Sequence, residues 1–170
     1  FSPPSTGFAR TDQELMCDGV SLSAVALAEG TPLYVYSAAS IRERYGAIDT
    51  AFGAYPHALH YALKANSTLA IARLLRELGS RVDANSIWEI ELAQRVGFEP
   101  SSIVFTGVGK SQAELERAAS LGLKAINVES AGELARIEAI AAGLGHPVRV
   151  AVRVNPDIDA QSHPHISTGL

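Results

Sequence analysis

Five short apolar runs, centred near Tyr61, Val82, Val104, Ile126 and Val150, recur roughly every 20 to 25 residues, the repeat of a βα unit. Helical patterns fill the gaps between them. Ile71, Leu74, Leu75 and Leu78 form an i, i+3, i+4, i+7 stripe. Ser111-Gln112-Ala113-Glu114 and Ser130-Ala131-Gly132-Glu133 read as capping boxes, in which a hydroxyl and a carboxylate satisfy the free N–H groups of a helix start. Gly79, Gly97, Gly122 and Gly143 follow helical stretches, where the chain often needs a positive φ. Upstream, Thr31-Pro32-Leu33-Tyr34-Val35-Tyr36 reads as a short strand, and Ser37 as the cap of a helix carrying Ile41, Tyr45 and Ile48. Strands that alternate with helices dictate an α/β fold with a parallel sheet, either doubly wound or part of a closed (β/α)8 TIM-type barrel. No Gly-x-Gly-x-x-Gly follows the first of the five strands, which argues against a dinucleotide fold; Gly107-Val108-Gly109 reads as a turn.

Strand alternation assigns faces. Val148, Val150, Val152 and Val154 share one face of the last strand, and Arg149, Ala151 and Arg153 the other. His60, Ala62 and Lys64 share a face, as do Arg81 and Asp83. Lys64, Asp83 and Arg153 are therefore expected to point inward at the C-terminal ends of their strands, where barrel enzymes keep their chemistry. A lysine that ends a buried strand is expected to be partly dry, which favours the neutral amine and its attack on aldehydes.

Composition narrows the functional classes. A formal net charge of −4 without a basic run disfavours nucleic acid or an anionic membrane as a partner. No apolar stretch approaches membrane-spanning length, and the start of the chain does not read as a signal peptide. The single Cys17 excludes an internal disulfide framework and fits a reducing compartment, so a cytoplasmic location is expected. The histidines show no metal-ligand spacing, and no metal is assigned.

Four motifs then occur in order: Tyr61-Ala62-Leu63-Lys64-Ala65-Asn66; Val82-Asp83-Ala84-Asn85-Ser86-Ile87-Trp88-Glu89; Arg153-Val154-Asn155-Pro156-Asp157; and His163-Pro164-His165-Ile166-Ser167-Thr168-Gly169. Together, from about Thr31 onward, they resemble the N-terminal part of the diaminopimelate decarboxylases, fold-type III enzymes that use pyridoxal 5'-phosphate. The lysine and Asp-x5-Glu patterns are shared with ornithine and arginine decarboxylases; the His-Pro-x-Ile-Ser-Thr-Gly motif narrows the likeness to the diaminopimelate group. The resemblance implies that Lys64 carries the cofactor covalently as a Schiff base and later shuttles protons. It implies that Asp83, Arg153 and His163 are cofactor-binding, and that Glu89 is a supporting acidic group. The implied reaction is conversion of meso-2,6-diaminopimelate to L-lysine and CO2, by a homodimer acting on a small amino-acid substrate.

Each residue also has a plainer reading. Glu89 completes a capping box with Ser86, and Asp83 caps the next helix. Arg153 pairs with Asp157 or Asp159, His163 is a solvated loop residue, and Trp88 packs in the core. At the level of function the alternatives are a related ornithine, arginine or carboxynorspermidine decarboxylase, or a non-catalytic protein of the same fold that binds the cofactor. Five βα units fall short of the eight a barrel needs, so the chain is expected to be a piece of a longer enzyme and inactive alone. Residues 1–36 are expected to form an N-terminal segment with a strand belonging to a β domain, and 37–170 an incomplete barrel.

Overall fold

A computed structural model describes residues 6–156. The chain begins as a small antiparallel meander of β1 (Phe8–Arg10), β2 (Leu15–Cys17) and β3 (Val20–Ser21). Asp18 and Gly19 form its tight turn with φ of 49° and 81°, the double positive φ that a two-residue hairpin asks of an Asp-Gly pair. Helix α1 (Leu22–Glu29) follows, capped by the Ser21 hydroxyl, which accepts the Ala24 N–H. The meander is tied to the rest of the molecule through Asp18. Its carboxylate accepts the Ser37 hydroxyl at 2.7 Å and the Ala39 N–H at 3.0 Å, at the start of α2 (Ala38–Ala51). These bonds to the ionised form hold the Asp18 carboxyl below its ordinary pKa.

Five parallel strands come next, β4 (His60–Ala62), β5 (Arg81–Ala84), β6 (Ile103–Phe105), β7 (Ala125–Val128) and β8 (Val150–Val152). The helices between them are α3 (Leu69–Glu77), α4 (Ile87–Arg95), α5 (Gln112–Ser120) and α6 (Ala131–Leu144). All five strands expected from the apolar runs are present. Their order in the sheet follows the sequence, β4-β5-β6-β7-β8. Each unit steps the same way with no reversal, the winding of a barrel rather than of a doubly wound sheet.

The core lies between the sheet and its helices. Val82, Ala84, Ile103, Phe105, Ile126 and Val128 pack there against Ile90, Ala93, Leu115, Ala118 and Ile137, all at 3% exposure or less. Burying a side chain of Val, Leu, Ile or Phe size contributes about 1.5–3 kcal/mol, so this layer dominates the stability of the sheet. At the two ends of the sheet the cover gives out. No residue of α2 is buried, and an open apolar cleft of about 540 Å³ runs along the free edge of β4, lined by Tyr36, Ile41, Tyr45, Leu59, Ile71 and Leu75. At the other edge, Val152 and Val154 are 67% and 76% exposed, although they share the face that is buried in β5 to β7.

Three expectations need correction. Residues 31–36 form no strand among the described residues: 31 and 32 are bends, no neighbouring strand offers 33–36 a ladder, and Tyr34 is 90% exposed. Trp88 is not core packing; it sits at the start of α4 on the solvent side, 76% exposed. Gly143 lies within α6, which ends at Gly145 in a left-handed conformation, because the helix bond to Ala141 forms only there.

Candidate active site

The inward face of the sheet is polar at the C-terminal ends of the strands. Lys64 lies just past β4 in a 3-10 turn, Leu63–Ala65. The turn is built by its neighbours. Leu63 is fully buried and anchors it in the core, while the Tyr61 hydroxyl donates to the Asn66 carbonyl at 3.0 Å. Asn66 Oδ1 then accepts the Thr68 N–H and starts α3. Between anchor and staple, the Lys64 side chain has no hydrogen bond or ion pair among the described residues. It is exposed, not partly dry as the end of a buried strand would be, since β4 stops at Ala62 and nothing described here covers the turn.

Asp83 lies on the adjacent strand, in register with Ala62, two residues before Lys64. Its Oδ1 accepts a hydrogen bond from the Thr106 hydroxyl. Thr106 Oγ1 in turn accepts Asn127 Nδ2 at 3.2 Å, so a chain of hydrogen bonds crosses from β5 to the ends of β6 and β7. Asp83 Oδ2 has no partner among the described residues. Arg153, just beyond β8, donates from Nη1 to Glu129 Oε1 at 3.3 Å and is held there, while its own N–H donates to the Val128 carbonyl. Among the described residues its side-chain partner is therefore Glu129. Asp157, Asp159 and His163 lie outside the described residues.

Glu89 occupies the third position of α4. The Ser86 hydroxyl accepts its N–H at 3.3 Å, and its Oε2 accepts the Asn85 N–H at 2.7 Å, so the carboxylate serves the helix start. The side-chain Nδ2 of Asn85 is buried without a partner. The loops after β5 and β6 meet closely at this point, since a Cβ on Gly107 would lie 2.1 Å from the Asn85 carbonyl oxygen. Only glycine fits there. Three members of this constellation escaped the sequence reading: Thr106, Asn127 and Glu129. Alternation was the available signal, because Val104 and Thr106 share a face, and Asn127 and Glu129 share the face opposite Ile126 and Val128.

At the opposite, N-terminal end of the same face, His60 Nδ1 meets the Val82 carbonyl at 3.1 Å and Nε2 meets Lys124 Nζ at 3.1 Å. Burial, aided by the Lys124 and Arg81 charges, pushes the His60 pKa down. Burial and Arg81 do the same to Lys124. Among the described residues no three His, Cys, Asp or Glu side chains are grouped to hold a metal, and no helix is long and apolar enough to cross a membrane.

A lysine just past the first strand of a parallel sheet and an aspartate on the next strand, at the C-terminal ends where barrels keep their sites, define the polar mouth of a βα-barrel class of protein. The chain belongs to the family of pyridoxal-dependent decarboxylases, pyridoxal binding domain, whose model matches residues 38–170. It is 46% identical to a diaminopimelate decarboxylase of Vibrio cholerae over 94% of this chain and 38% of that protein. Diaminopimelate decarboxylase of Helicobacter pylori complexed with L-lysine superposes with a TM-score of 0.82 at 44% identity, over 87% of this chain and 38% of that one. The enzyme from M. jannaschi superposes with a TM-score of 0.86 at 34% identity, over 93% of this chain and 38% of that one. The chain thus spans a little over a third of the length of the relatives it matches.

The chemistry of the residues present fits pyridoxal phosphate: an unpartnered amine suits an aldehyde, and a carboxylate and a guanidinium suit a polar, charged cofactor.

Proposed function

We propose that the whole protein to which these residues belong decarboxylates meso-2,6-diaminopimelate to L-lysine and CO2 with pyridoxal 5'-phosphate. The observation that carries this reading is the unpartnered Lys64 amine at the end of β4, beside the strand that bears Asp83. Family membership and the L-lysine complexes of similar enzymes support it. When bound, the cofactor supplies an aldehyde for covalent capture and an electron-withdrawing ring that accepts the electrons left by a departing carboxylate.

The chain's own residues then divide the work. Lys64 Nζ would hold the cofactor covalently, and its amine would serve to carry protons at the reacting carbon. Asp83, steadied by Thr106, would help hold the cofactor with its free oxygen. Arg153, held by Glu129, and His163 complete the cofactor set, and Glu89 supports it by fixing the backbone after Asp83. Exposed Leu27, Tyr34 and Tyr36 support the placement of residues 1–36 against a β domain, and the two free sheet edges support completion of the barrel by further chain. A cytoplasmic homodimer belongs to the same reading.

The test is reduction of the full-length protein with borohydride in the presence of pyridoxal phosphate, followed by peptide mass analysis and an assay for L-lysine. A permanent adduct on Lys64 and lysine release are expected. Lys64→Ala in the full-length protein is expected to lower turnover by about 10³-fold or more. Wild-type turnover in that variant would overturn the reading, and turnover by the isolated 170-residue chain would overturn its incompleteness.

A further inference from the structure

The most deeply buried charged groups outside the site are Lys110 and Glu133, each 3% exposed, with Lys110 Nζ 3.2 Å from Glu133 Oε1. A buried ion pair is a weak stabiliser, because desolvation offsets most of its attraction, so stability alone does not account for it. Lys110 comes from the loop between β6 and α5, and Glu133 from the first turn of α6. Lys110 Nζ also donates to the Asn127 carbonyl at 2.6 Å and lies 5.3 Å above the Phe105 ring. Glu133 Oε2 accepts the Glu129 N–H at 2.8 Å, and Arg136 donates to the Lys110 carbonyl at 3.1 Å, closing the unit.

The two ends of one tripeptide, residues 127–129, are therefore clamped by the two halves of one buried pair. That tripeptide carries both inward side chains on which the candidate site depends. Asn127 supports Thr106 and through it Asp83; Glu129 holds Arg153. We propose that Lys110 and Glu133 are positioning residues: they fix the backbone of residues 127–129 so that the Asp83 and Arg153 arms of the site keep one mutual geometry toward the cofactor. The other helix starts show how specific this is. Glu114 turns back on its own cap, Ser111, and Glu89 on Asn85 as Glu133 does on Glu129; among the described residues only Glu133 of these three also meets a buried cation. The Ser130 box is thus open, its carboxylate diverted from the cap N–H to Glu129 and Lys110.

This inference rests on the proposed cofactor site, and the test separates the two. Full-length apo-protein is titrated with pyridoxal phosphate and the bound cofactor followed by absorbance. If the unmodified protein takes up no cofactor on Lys64, the functional reading itself fails. If it does, Lys110→Met is expected to weaken cofactor binding by about 10- to 100-fold, the scale seen when a support behind a metal-binding side chain is removed. Lys110→Met with Glu133→Met removes both charges and is expected to recover the melting temperature without recovering affinity. A pair that serves stability alone would recover both together. Affinity of either variant within about twofold of the unmodified protein overturns the proposal. Should the double variant fail to fold, Glu133→Gln, which keeps an oxygen for the Glu129 N–H, is read in the same titration. A loss smaller than that of Lys110→Met is expected, and unchanged affinity overturns the proposal.

Discussion

The two faces of the five-stranded sheet follow opposite rules. On the helix side, Val82, Ile103, Phe105 and Ile126 are almost wholly buried, and their contacts are non-directional. On the inner side, Asp83, Thr106, Asn127, Glu129 and Arg153 are only partly covered, and each is held by a directional bond to a neighbouring strand. The first face makes the sheet stable, and the second makes it selective. Polar groups on the inner face are affordable because they are paired with one another, not abandoned in an apolar layer.

Breaking the outer face should be the larger insult. Phe105→Ala in the full-length protein is expected to cost about 3–5 kcal/mol in denaturant unfolding, through lost burial and the cavity left behind. A cost below about 1 kcal/mol would deny the outer layer its role. Thr106→Val keeps shape but deletes the hydroxyl that Asp83 accepts. Its expected cost in stability is smaller, about 1–2 kcal/mol, while cofactor affinity falls several-fold. If affinity held and stability fell as far as in Phe105→Ala, the division of labour between faces would be wrong.

The smallest effect concerns pH. Burial lowers the His60 pKa in the folded protein, so below the ordinary histidine value of about 6.5 the unfolded chain binds protons that the folded one refuses. Stability should therefore decline as pH falls through that value. His60→Asn should flatten this part of the curve, and an unchanged slope in thermal unfolding between neutral and mildly acid pH would remove His60 as its source.

Much of the outer face was legible in the sequence. A period of two inside each apolar run, a period of 3.6 between runs, and Ser-x-x-Glu starts are local signals, and all five strands fall where they predict. The place of Lys64 at the end of the first strand was legible too, but its exposure was not, since β4 stops at Ala62 and no described residue covers the turn that follows. The 31–36 segment shows the limit of propensity. Its β-branched and aromatic residues favour extension, but a strand also needs a neighbour. Trp88 shows the same limit for hydrophobicity, being apolar and still exposed at a helix start.

The sequence by itself determined the order of the elements, the face each strand turns inward, and the residue types at the mouth, since these depend on neighbours within a few positions along the chain. Tertiary structure alone decided that Arg153 meets Glu129, that Thr106 serves Asp83, and that Lys110 is buried on Glu133. Those partners stand more than 20 residues apart, and only the register of parallel strands and the closeness of successive loops brings their donors and acceptors within bonding distance.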